Sequence, residues 1–213
     1  MDAVVRAARP GDAGFLAWAV LTAGRAHLAR GWYDVALGLP EPEVLRLLER
    51  LVTTVTPSFW RHENVLVAEV DGQPVAALSA FGSTSGWGDA QGALAEAAAP
   101  LGWSADDLAN VWIRGAYVFS CTFAPQEDVW VIENVAVAPS VRGMGVAGRL
   151  LEAAFDRGRG RGFRQAQITF QIGNAPAERA YAKAGFRLSE EKRHPDFEAV
   201  SGSPGLRRFV RAL

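Results

Sequence analysis

Val131-Ile132-Glu133-Asn134-Val135-Ala136-Val137-Ala138-Pro139-Ser140-Val141-Arg142-Gly143-Met144-Gly145-Val146-Ala147-Gly148-Arg149-Leu150-Leu151 is the stretch that decides the fold of this chain. Its β-branched start reads as a buried strand, Pro139 stops that strand, a glycine-rich loop follows, and the leucines lie in the first turn of an amphipathic helix. A loop of this kind leaves backbone NH groups unpaired at the positive end of a helix dipole, where a phosphate or pyrophosphate can sit.

Spacing separates the phosphate loops that could claim these letters. Gly143-Met144-Gly145-Val146-Ala147-Gly148 matches the dinucleotide pattern G-x-G-x-x-G, which needs its first glycine at the strand end and an acidic residue about 20 positions on. Here five residues, Pro139 among them, separate Val137 from Gly143, and no Asp or Glu lies between Ile168 and Gln171. Gly143 and Gly148 also have the outer spacing of a P-loop, but Arg149-Leu150 stands where Lys and a metal-binding Ser or Thr are required. The remaining pattern is Arg142-x-x-Gly145-x-Ala147 after Val-Ala-Val-Ala-Pro and before Leu150-Leu151. In this it resembles the GNAT superfamily of acyl-CoA-dependent N-acetyltransferases, whose Arg/Gln-x-x-Gly-x-Gly/Ala loop holds the pyrophosphate of coenzyme A. A glycine-rich turn that only lets a helix pack close to a sheet is the plainer alternative.

A second segment strengthens the resemblance. Gln165 to Ile172 alternates as a strand, with Ile168, Phe170 and Ile172 on one face. Asn174-Ala175-Pro176-Ala177-Glu178-Arg179-Ala180-Tyr181-Ala182-Lys183-Ala184-Gly185-Phe186 then gives a capping Asn, an early Pro, a short helix carrying Tyr, and Gly-Phe. This is similar to the family's second signature, in the right order and spacing.

Composition sets the bounds. The 213 residues, 49% of them hydrophobic, suffice for a substantial core, and one domain over 1–213 is expected. The net charge of −1 offers no global attraction to nucleic acid or an anionic membrane. No apolar run approaches a bilayer span, and Met1-Asp2-Ala3 leads directly into a strand-like run, so a cytoplasmic location is the default expectation. The single cysteine, Cys121, excludes an internal disulfide or a cysteine metal cluster. His27, His62 and His194 show no metal spacing, and no metal is expected.

Along the chain, Val4 to Ala8 reads as a strand, with Asp12 placed to cap a helix toward Leu28. The residues Gly31-Trp32-Tyr33-Asp34 read as an unusually aromatic loop, and Pro42 to Leu51 as an amphipathic helix. Two strands, 64–70 and 74–79, flank Asp71-Gly72 as a hairpin. From 83 to 128 the chain departs from the minimal family pattern. There Ser83 to Gly88 is loop-like, Ala90 to Ala99 is alanine-rich and helical, and Ser104 to Asp107 resembles a capping box before a helix running toward Tyr117. It reads as an insertion between the third and fourth strands, near the acceptor side of the sheet. Four of the chain's seven tryptophans, Trp87, Trp103, Trp112 and Trp130, lie in or beside it. After Phe186 a strand, a loop from His194 to Gly205 and a last strand close the chain. The fold class expected is α/β: a mixed, mostly antiparallel sheet of about seven strands with helices on both faces, GNAT-like.

The resemblance implies acetyl-CoA as co-substrate. Backbone groups of Val135, Ala136 and Val137 would take the pantetheine arm if the fourth strand splays from the fifth. Those of Arg142, Gly143, Met144, Gly145, Val146, Ala147 and Gly148 would hold the pyrophosphate. Asn174 would support the cofactor amide or the local backbone. Acyl transfer to an amine needs a base for the nucleophile and a proton for the departing thiolate. By period-2 alternation Glu133 shares a face with Val131, Val135 and Val137, and burial would raise its pKa into a useful range, so it is the candidate base. A buried carboxylate paired with an Arg or a backbone donor is the alternative. Tyr181, matching the family's Tyr beside the thiol sulfur, is the candidate acid and a cofactor contact; simple packing is its alternative. Cys121 as an acetyl carrier is set aside for want of an adjacent His.

The expected function is acetyl transfer from acetyl-CoA to a primary amine of a small molecule, by direct attack in a ternary complex. A catalytically silent acyl-CoA-binding or sensing domain is the rival. Homodimerisation is compatible with the insertion and its aromatics, and neither nucleic acid nor membrane is an expected partner.

Overall fold

A computed structural model describes residues 3–84 and 87–213. Met1-Asp2, expected to precede the first strand, and Ser85-Gly86, expected in the loop after Gly82, lie outside the described residues.

Alternation with a period of two carries the sheet. Strand β2 (Val65–Val70) and strand β3 (Gln73–Gly82) form the hairpin expected around Asp71-Gly72, both of which have positive φ. In β2, Val65 and Val67 enter one core while Leu66 and Ala68 enter the other. In β3, Ala77 faces the first core, and Ala76, Leu78 and Ala80 the second. A sheet with both faces covered buries apolar side chains in both directions, which is why these strands read as nearly continuous hydrophobic runs.

The remaining strands are β1 (Val4–Ala7), β4 (Trp130–Val137), β5 (Gln165–Gln171), β6 (Arg187–Arg193) and β7 (Gly205–Ala212). The seven-stranded order is β1-β2-β3-β4-β5-β7-β6, antiparallel except for the parallel pair β4–β5. The first core is closed by α1 (Ala13–Arg25), α2 (Trp32–Leu37), α3 (Glu41–Leu51), α4 (Ala90–Ala98) and α5 (Ala105–Gly115). The second is closed by α6 (Val146–Gly160) and α7 (Ala175–Lys183). In α6, Val146, Leu150, Leu151, Ala154 and Phe155 are buried at helical spacing. The mixed sheet with helices on both faces is therefore as expected, and α4 and α5 lie between β3 and β4. The expected capping box is present: Ser104 Oγ accepts from the Asp107 NH at 3.1 Å, and Asp107 accepts from the Ser104 NH at 2.8 Å. Among the described residues no helix is long and apolar enough to cross a membrane.

Three local expectations are corrected. The aromatic stretch after Gly31 is helix α2, because Tyr33 is buried and Asp34 accepts from the Gly31 NH at 2.8 Å while pairing with Arg25 at 2.6 Å. The loop expected from His194 contains α8 (Pro195–Ser201), anchored by buried Phe197 against Tyr117. Asp12 does not cap α1; its carboxylate is held by Arg6 at 2.7 Å and by the Arg9 NH at 2.7 Å. That helix ends at Arg25, short of Leu28, where Ala26 turns to φ +55°.

Candidate active site

Two features of β4 make the site. Its pairing with β5 covers only Trp130–Ile132 against Ala166–Ile168, although both strands run on. From Glu133 onward the strands part, and the β5-facing edge of β4 has no strand partner among the described residues. The other feature is a β-bulge. Ser79 pairs with Glu133 and Ala77 with Ala136, so two residues of β4, Asn134 and Val135, oppose Leu78 alone. Asn134 takes the left-handed conformation at φ +53°, which Asn tolerates better than most residues, and its Nδ2 donates to Ser79 Oγ at 3.2 Å.

The bulge corrects the face assigned to Glu133. Trp130 and Ile132 point into the second core, so Val131 and Glu133 point the other way. Beyond the bulge the phase is reversed: Val135 and Val137 pack on the second core and Ala136 on the first. Glu133 thus shares a face with Val131 but not with Val135 or Val137.

On the second-core face, the loop before α6 is built as a cradle. Gly143 and Gly145 both have φ +79°, and a Cβ at Gly143, Gly145 or Gly148 would meet nothing within 4 Å. The first two need glycine for conformation, and all three leave open space for close approach. The NH of Met144 is used by the Val141 carbonyl at 3.3 Å and that of Arg142 by Pro139 at 3.4 Å. The amides of Gly143, Gly145, Val146, Ala147 and Gly148 have no hydrogen-bond acceptor among the described residues. Five free amides beside a fifteen-residue helix match what a pyrophosphate needs. Arg142 Nε donates to the Val137 carbonyl at 3.2 Å, fastening the loop to the end of β4, and its side chain is otherwise exposed. Met144 is exposed.

Tyr181 lies on this same face. It is buried among Phe170 and Phe186, with ring centroids 5.3 and 6.2 Å away, in the cluster that also holds Val135 and Val137. Its hydroxyl has no partner among the described residues and is not sealed from solvent. Burial pushes its pKa up, so it stays protonated at neutral pH. Asn174 caps α7, its Oδ1 accepting from the Ala177 NH at 3.3 Å.

On the opposite face a cavity of about 600 Å³ opens over Glu133. Its walls come from α2, the segment Phe59-Trp60, Trp87, the end of α5, Val118, Phe119 and residues 122–126, and its floor from Glu133, Asn134, Gln167, Thr169, Leu206 and Arg208. No ion pair or hydrogen bond reaches the Glu133 carboxyl among the described residues, and burial pushes its pKa up to about 7. The paired-carboxylate alternative therefore finds no partner here. Burial raises the pKa of Tyr33, the nearby Glu133 charge adds to the rise, and the Tyr33 hydroxyl accepts from Trp60 Nε1 at 2.7 Å.

The two proposed catalytic side chains thus stand on opposite faces of the sheet, on either side of the gap between β4 and β5. Tyr33, Asn134, Gln167 and Arg208 were not singled out from sequence. A polar residue alternating with Ile168 and Phe170, and an Asn in mid-strand, were the signals available for Gln167 and Asn134. Cys121 is buried and is not in the cavity wall. No cluster of metal-ligating side chains occurs among the described residues.

Comparison with known proteins gives a family and a fold. The family model described as acetyltransferase (GNAT) family matches residues 40–186. No match was found among curated protein sequences. Among solved structures, an N-acetyltransferase from Staphylococcus aureus Mu50 superposes with a TM-score of 0.67 at 19% identity, over 98% of this chain and 100% of that one. The Drosophila melanogaster polyamine N-acetyltransferase, which forms N-acetylagmatine, gives 0.58 at 20% identity over the whole of both chains. The Salmonella typhimurium protein yncA, solved with its cofactor acetyl-CoA, gives 0.56 at 16% identity, over 100% of this chain and 95% of that one.

Proposed function

This chain belongs to the GNAT family of acetyltransferases, which use acetyl-CoA, and from that premise we propose that it acetylates the primary amine of a small molecule by direct attack in a ternary complex. The observation that carries this reading is the gap between β4 and β5, with an amide-rich loop on one face and a carboxylate-floored cavity on the other.

The residues fit acetyl-CoA in this arrangement. The free amides of Gly143, Gly145, Val146, Ala147 and Gly148 would hold its pyrophosphate, and the unpaired edge of β4 at Val135, Ala136 and Val137 its amide-bearing arm. Arg142 steadies the loop and leaves most of its donors for a phosphate oxygen. Asn174 holds the start of α7, and with it the helix that carries Tyr181. When bound, acetyl-CoA supplies the activated acyl carbon.

The chain's own groups manage the protons. Glu133, poised near neutrality, takes a proton from the incoming ammonium or from the amine as it attacks, directly or through water. Tyr181 keeps its proton at neutral pH and is the donor for the departing thiolate. Small amines are favoured as acceptors because the site is a pocket enclosed by side chains from several elements, and the agmatine-acetylating neighbour supports the same class.

The test is incubation with acetyl-CoA and a panel of amines, with products read by mass spectrometry. Acetylated amine is the expected result, with turnover cut about 100-fold or more in Glu133→Gln. Tight coenzyme A binding without transfer to any amine would instead make this a silent acyl-CoA-binding domain.

A further inference from the structure

The cavity over Glu133 is distinctive in what its wall contains and in what it lacks. Rings from separate parts of the chain, Trp32, Phe59, Trp87, Trp112, Phe119 and Phe123, line it. The charged side chains in its lining are Glu133 and Arg208 alone, among the described residues. Arg208 is 3% exposed, ion-paired with Glu190 and bonded to the Ala124 carbonyl at 2.8 Å, and it lies 5.1 Å from the centroid of Phe123.

Strand register orders these groups. Val131 pairs with Gln167, and Thr169 with Arg208, so Glu133 on β4, Gln167 and Thr169 on β5, and Arg208 on β7 follow one another across three adjacent strands. Moving away from the carboxylate, a bound molecule meets an amide and a hydroxyl, then a guanidinium. No second carboxylate lines the cavity among the described residues. A second ammonium on the acceptor would lose its water without gaining a counter-charge, and would approach Arg208. An apolar ring on a short chain would meet aromatic faces, and the single ammonium entering past them is favoured by the same faces.

Building on the acetyl-transfer reading of this same cavity, we propose that its acceptor is an arylalkyl primary monoamine and not a diamine or polyamine. Arg208 and the neutral floor beside Glu133 set that preference, and the rings supply the binding surface.

The test compares 2-phenylethylamine and tryptamine with agmatine, putrescine and spermidine, at saturating acetyl-CoA, by release of the coenzyme A thiol. The expected result is a kcat/KM for the arylalkylamines higher by about tenfold or more. Phe119 lines the cavity yet is 66% exposed, so its removal carries little risk to the fold. Phe119→Ala should raise KM for 2-phenylethylamine several-fold with KM for acetyl-CoA unchanged, and Gln167→Glu should move the preference toward agmatine. Quenching of tryptophan fluorescence measures amine binding without turnover. Preferential quenching by 2-phenylethylamine with no acetylated product would uphold the selectivity of the cavity while removing the acetyl-transfer reading. Agmatine or spermidine matching the arylalkylamines in both assays would overturn the inference and leave acetyl transfer standing. No amine bound and none acetylated would remove both.

Discussion

The carboxyl of Glu133 is pushed up to about 7 by burial alone. A raised carboxyl pKa means that the folded chain holds a proton the unfolded chain has already lost. Stability contributed by this group is therefore intact below its ordinary value and is lost as pH rises toward 7. The full cost of ionising it in place has a ceiling of about 3 kcal/mol. Two outcomes are expected: kcat/KM for the amine rises through a limb near pH 7, and Glu133→Gln removes that limb while raising the melting temperature at pH 8. A limb that persists in Glu133→Gln would assign the titration to another group, and a lower melting temperature would show that the carboxylate is a structural partner. Alternation with Val131 was enough to find Glu133 in the sequence. It misplaced Val135 and Val137, because one Asn in the left-handed conformation inserts a residue and reverses every side chain after it.

At the scale of the element, the loop and the helices it serves were legible because their determinants are local. Gly145 at φ +79° immediately before α6, Asn174 at the start of α7 and the Ser104–Asp107 box all act within a few residues of themselves. Gly145→Ala is expected to lower stability by about 1–2 kcal/mol, since a Cβ disfavours that conformation. It should also raise KM for acetyl-CoA several-fold with KM for the amine unchanged, measured by thermal unfolding and steady-state kinetics. An unaltered KM for acetyl-CoA would detach this loop from pyrophosphate binding. Helices α2 and α8 escaped sequence reading for the converse reason. Each is six or seven residues long, too short to display a period, and is held by an anchor from elsewhere: Arg25 for α2, Tyr117 for α8.

Across the whole molecule, the residues from Ala90 to Gln126 become one wall of the cavity by fastening to α2. Arg114 donates to the carbonyls of Ala36 and Leu37 at 2.8 and 2.9 Å, and Trp32 Nε1 donates to the Gly115 carbonyl at 3.1 Å. Gly115 permits this approach, since a Cβ there would lie 2.8 Å from the Trp32 ring. Arg114→Ala leaves two carbonyls at the end of α2 without their donor and is expected to cost about 1–3 kcal/mol. Because Arg114 bridges two cavity walls, the same variant should raise KM for the amine far more than KM for acetyl-CoA. Equal effects on both would mean that the insertion supports the enzyme generally and not the acceptor site.

By itself the sequence determined the strand, loop and helix that mark the family, the hairpin, and the order of the strands along the chain. Those follow from periodicity, glycine conformation and capping, which act over a few residues. The tertiary structure decided where β4 leaves β5, which face Glu133 occupies, and that Tyr181 stands on the other. It also decided the wall of the acceptor cavity, whose rings come from residues as far apart as Trp32 and Phe123. No local pattern encodes such a meeting, because it depends on which buried surfaces pack together once the whole sheet has formed.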